Sequence, residues 1–144
     1  MAHEILSVKL CELDEKLGAV HSRIHFSETA GRSRLKQEIE ALERECGEEE
    51  LALSKKLKFS KAYAASSLSG PYEEIERIIK KAMTEQETHK TSSGDQNYFT
   101  EEDILRAEYA IDFAMQAADR ALLMAMKAIE AQMTQEEQEE GSRA

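Results

Sequence analysis

Chemistry in this chain would have to come from a few residues. His21 and His25 are four apart, so as a helix they share one face, with Glu28 a turn further on. A metal could use that arrangement, yet Ser22 and Arg23 between the histidines supply no general base of the zinc-protease kind. The glutamate that a di-iron bundle places three before each histidine is replaced by Gly18, Ser22 and Gln86 before His21, His25 and His89. Two surface histidines falling four apart is the reading these residues support, and no metal site is expected. Cys11 and Cys46 fit no metal or redox spacing and read as reduced, half-buried residues. No glycine-flanked serine, cysteine signature or glycine-rich phosphate loop accompanies them. Glu108, Asp112 and Asp119 read as the solvated edge of a helix rather than as an acid–base pair. The expectation is a protein that is not an enzyme and needs no cofactor.

One window reverses the character of the chain. The formal charge is −10, but residues 51–72 contain no acid, and Lys55, Lys56, Lys58 and Lys61 surround Phe59 and Tyr63. On a helix these lysines spread over most of the circumference, which suits a solvated helix end. The functional reading is an anionic, phosphate-bearing ligand held by Lys55, Lys56, Lys58 and Lys61, stacked by Phe59 and Tyr63, with Arg32 and Arg34 brought in by another part of an assembly. Duplex binding is not expected, because the surrounding glutamates repel the phosphate backbone.

These residues need elements to position them, and the composition calls for helices. There are 144 residues with one proline, six glycines, no tryptophan and a third of the chain charged, as in long helices or coiled coils. Leu6, Leu10, Leu13, Leu17, Val20 and Ile24 alternate steps of four and three, a heptad seam that packs along another helix. The seam fails at Ser27, Gly31, Arg34 and Glu38 and restarts one residue late at Leu35, Ile39, Leu42 and Cys46. A helical hairpin is preferred there to a kinked rod, with Gly31 left-handed and Ser33 capping a second helix over residues 33–66. Ser69, Gly70 and Pro71 mark a turn before a shorter third helix over 71–88. A polar loop occupies 89–97, and Thr100 with Asp103, flanked by Phe99 and Ile104, signals the start of a last helix over 101–135. Residues 136–144 read as an acidic, disordered tail.

That last helix is the assembly axis. From Ala107 to Met133 only Glu108, Asp112, Gln116, Asp119, Arg120, Lys127, Glu130 and Gln132 are polar, and most of them draw one narrow stripe. A helix apolar on most of its circumference must be covered on several sides.

The expected fold is therefore all-α: a single domain over residues 1–135, an elongated antiparallel helical bundle or coiled coil of three long helices and one shorter helix. The expected partner is a second copy, as a homodimer or higher oligomer. Leu6, Leu10, Leu13, Leu17, Val20 and Ile24 with Ile111, Met115, Ala118, Leu122, Met126 and Ile129 form its interface. The favoured function is a non-catalytic adaptor, scaffold or regulator presenting a helical surface to a protein partner, one of basic character given the acidic helices. The alternative is a small acidic inhibitor of phage or mobile-element type that blocks a nucleic-acid enzyme or sequesters an anionic nucleotide. The amino terminus has no basic region followed by an apolar stretch, and charges interrupt the greasiest segment. A cytoplasmic protein without a membrane partner is the expectation.

Overall fold

A computed structural model describes residues 2–89 and 96–143. It is all-α, with helices α1 (Ala2–Ala30), α2 (Arg32–Phe59), α3 (Tyr63–His89) and α4 (Gln96–Arg143), and no strand among the described residues. α1 and α2 make antiparallel contacts, as do α2 and α3. Residues Met1–Ser22 and Glu102–Ala144 fall in one compact unit and Arg23–Glu101 in a second.

The break expected after residue 29 is sharp. Gly31 has φ 104° and ψ 173°, a positive-φ, extended conformation that only glycine adopts readily, rather than the left-handed helical one expected. Ser33 does not cap α2. Gly31 occupies the N-cap position with no side-chain capping bond, and its carbonyl accepts from the Leu35 N–H at 3.1 Å while its N–H donates to the Ser27 carbonyl at 3.2 Å.

The second helix ends seven residues before the expected position, at Phe59, and the turn is Ser60–Lys61–Ala62. Ser60 ends α2 in extended backbone, its N–H still donating to the Lys56 carbonyl, and its hydroxyl accepts from the Ala62 N–H at 3.2 Å. The turn expected at Ser69–Pro71 is absent, because α3 runs straight through Gly70 and Pro71. Proline inside a helix removes a hydrogen bond and crowds the carbonyl four residues back, at a cost of about 3 kcal/mol. What offsets this is packing on both sides of the proline. Ala65, Ser69, Tyr72 and Glu76 of α3 are all half-buried, as are Glu50, Ser54 and Leu57 of α2. With 27 residues α3 is the shortest helix, but by only one residue from α2 with 28.

α4 is 48 residues long, about 72 Å at 1.5 Å per residue. It begins before Thr100, which therefore lies inside the helix, and it continues through the segment expected to fray. Gln132 donates to Glu136 at 3.3 Å, Gln135 to Glu139 at 3.4 Å, and the Thr134 hydroxyl to the Glu130 carbonyl at 2.9 Å, one-turn links that support the end of the helix. Of the polar loop expected over 89–97, Gln96 and Asn97 belong to α4 and residue 89 to α3, and residues 90–95 lie outside those described.

Two stability predictions follow from the breaks. Gly31→Ala forces an L side chain into positive φ, although open space surrounds the position; thermal unfolding followed by circular dichroism should show a loss of about 1–3 kcal/mol. Pro71→Ala should raise stability in the same assay by about 1–3 kcal/mol, because it restores a bond in mid-helix. A turn at 69–71 would make that second substitution neutral or harmful.

Candidate interaction surfaces

In the unit Arg23–Glu101 the helices are joined chiefly by polar groups. Arg23 donates through Nε to Glu38 at 2.7 Å and through a terminal nitrogen to both oxygens of Glu45 at 3.0 Å. Glu38 and Glu45 are seven residues apart and so lie on one face of α2. Arg34 pairs with Glu38 at 3.0 Å and sits 5.6 Å from the centre of the Phe26 ring, so three side chains bridge the α1–α2 break. Ser27 is the one buried residue among those described, with its hydroxyl donating to the Arg23 carbonyl at 2.7 Å.

Between α2 and α3 the ion pair is Lys80–Glu50 at 2.5 Å. It forms one wall of a shallow cleft of about 350 Å³ lined by Glu50, Ser54, Tyr72, Glu73, Glu76, Arg77 and Lys80. The lining residues are polar or charged, but the surface they turn to the cleft is mostly that of their apolar stems. Arg77 pairs with Glu74 at 3.6 Å, and no cysteine, histidine or other strong nucleophile lines the space. Hydrogen bonding to Glu38 and then Glu45 raises the Arg23 pKa, and hydrogen bonding to Glu50 raises that of Lys80. Partial burial, followed by the charges of Glu76 and Glu50, raises that of Tyr72.

Apolar side chains of the same helices remain open. Ile75, Ile78, Ile79 and Met83 of α3 are 48–57% exposed. On α2, Leu35, Ile39 and Leu53 are also exposed. Of the α1 seam, Leu6 and Val20 are half-buried, whereas Leu10, Leu13, Leu17 and Ile24 are exposed. On α4, Ala118 and Ile129 are half-buried, while Ile111, Met115, Leu122 and Met126 are exposed. None of the twelve residues expected at an oligomer interface is buried within one chain, and eight of them are exposed.

The expected anion site is not assembled within the chain. Lys55, Lys56, Lys58 and Phe59 end α2, Lys61 lies in the turn and Tyr63 opens α3, all exposed. Arg32 and Arg34 stand at the opposite end of α2, about 33 Å away at 1.5 Å per residue. Lys58 lies 5.8 Å from the centre of the Phe59 ring. His21, His25, Glu28, Cys11 and Cys46 are exposed. Among the described residues no group of three or more His, Cys, Asp or Glu is placed to hold a metal ion, and no helix is long and apolar enough to cross a membrane.

Arg23 and its two acids escaped the reading of the sequence, as did Tyr72. The seven-residue spacing of Glu38 and Glu45 was the available signal, hidden among many neighbouring glutamates.

The pKa shifts carry a pH dependence. A pKa above its ordinary value means stability that is full below that value and lost as pH rises through the folded one. For Tyr72 and Lys80 the ordinary values are 10.0 and 10.5, so the α2–α3 association should hold up to about pH 10 and weaken above it. Melting temperature followed by circular dichroism from neutral to strongly alkaline pH checks this, and Lys80→Met should flatten the alkaline decline.

Comparison of the chain with protein-family models, with curated proteins and with solved structures finds no match.

Proposed function

We propose that this chain is a non-catalytic helical interaction protein that completes its own packing by homo-oligomerisation and presents the assembled helices to a protein partner. The supporting observation is the exposure of regularly spaced apolar side chains on α1 and α4, with Leu17 59%, Ile111 62%, Met115 59% and Met126 65% exposed. Scattered surface leucines mean little, but contiguous apolar stripes on long helices mark contact surfaces. Covering the exposed half of one such side chain is worth about 1 kcal/mol, and a stripe of them supplies the association energy. The alanines and methionines of α4 suit this use, because small residues let a second backbone approach and methionines adapt to its shape.

The inhibitor reading has less support. A nucleotide pocket needs its cations to converge, and Arg34 is already engaged by Glu38 and Phe26 at the far end of α2 from the lysines. Acid-rich helices alone do not separate groove mimicry from an ordinary solvated surface.

Light scattering coupled to size exclusion should return a dimer or larger species at micromolar concentration. Leu13→Glu and Met126→Glu should each weaken that assembly by at least about tenfold, with the monomer retaining much of its helical signal. A monomeric wild-type chain at that concentration would overturn the proposal.

A further inference from the structure

The turn at Ser60–Ala62 folds the acid-free window back on itself. The last nine residues of α2 and the first ten of α3 run side by side, so the final 14 Å or so of both arms of the hairpin carry no acid, with Lys55, Lys56 and Lys58 on the α2 arm and Lys61 in the turn. The local charge is +4, from Lys55, Lys56, Lys58 and Lys61, in a chain of net charge −10. All four lysines are exposed, and none is held in an ion pair among the described residues. The first acid below the tip, Glu50, is neutralised by Lys80. The next acids, Glu49 on the same arm and Glu73 on the other, lie about 15 Å below the tip, beyond the roughly 8 Å over which charge is felt at physiological salt. At the apex, Phe59 and Tyr63 are 73% and 85% exposed, the two most exposed large apolar side chains described.

We infer that this hairpin tip is a membrane-docking wedge that enters the headgroup layer of an anionic phospholipid surface end-on. The chemistry along the tip, exposed rings at the turn and unpaired lysines on the α2 arm behind them, selects this partner. Aromatic rings at the apex with flexible ammonium stems behind them match the depth profile of that interface, rings among the acyl–headgroup boundary and charges among the phosphates. The overall negative charge argues against a general grip on such surfaces, and it makes the contact a pointed one.

Co-sedimentation of the full chain with vesicles tests this, using phosphatidylcholine alone and phosphatidylcholine with phosphatidylserine. Binding is expected only to the serine-containing vesicles and should fall with added salt. Lys55→Glu/Lys58→Glu should weaken it at least about 25-fold, at roughly fivefold per lysine charge removed. Lys56→Gln/Lys61→Gln, which shares no residue with the first pair, should weaken it by a similar factor, and Phe59→Ser by about tenfold. Equal binding to both vesicle types, or binding indifferent to both lysine pairs, would overturn the inference. So would the absence of vesicle binding, including the case where a single-stranded oligonucleotide or inorganic phosphate is bound instead.

Discussion

Long amphipathic helices draw most of their stability from what covers their apolar faces, and that requirement governs this structure. Within one chain the covering is incomplete. Helix is joined to helix by ion pairs and small polar residues, Arg23 with Glu38 and Glu45 across the first break, Lys80 with Glu50 across the second. The isoleucines of α3 and Leu10, Leu13 and Leu17 of α1 are left at the surface. Ion pairs this open to water, half-buried at Arg23 and half-exposed at Lys80, contribute little on their own. They set which helices lie together and in which direction, while the apolar faces are the larger reservoir of free energy. An assembly that draws on that reservoir would supply what the polar links do not.

Helical class, the break near Gly31 and the apolar character of α4 were legible in the sequence because each rests on local chemistry. Alanine-, leucine- and glutamate-rich stretches form helices, a glycine in a failing heptad ends one, and a narrow polar stripe shows at once on a helical wheel. The second turn was not legible. Ser69–Gly70–Pro71 carries the stronger local signal, but the half-buried Ser69, Tyr72 and Glu76 hold α3 together across it, while Ser60–Lys61–Ala62 contains neither glycine nor proline. Packing at a distance overruled local preference. The same displacement changed the lysine window from one helix end into the apex of a hairpin.

Similar reasons separate the candidate surfaces. Seam positions were readable because period alone selects them, but whether a seam is covered by its own chain is a tertiary fact. The lysines were readable as a cluster, whereas Arg32 and Arg34 joined them only on the supposition that different parts of an assembly meet, and α2 keeps them about 33 Å apart in one chain. Arg23 could not be singled out, because its importance comes from two acids on the facing helix rather than from its neighbours in sequence.

The account rests on folding being coupled to association. The most direct test is the concentration dependence of thermal unfolding, followed by circular dichroism across protein concentrations from well below to well above micromolar. If a second copy covers the apolar faces, the melting temperature must rise with concentration, because dilution favours the uncovered chain. A melting temperature that stays constant over that range would contradict the account, since the helices would then be holding together without the partner surface on which this reading depends.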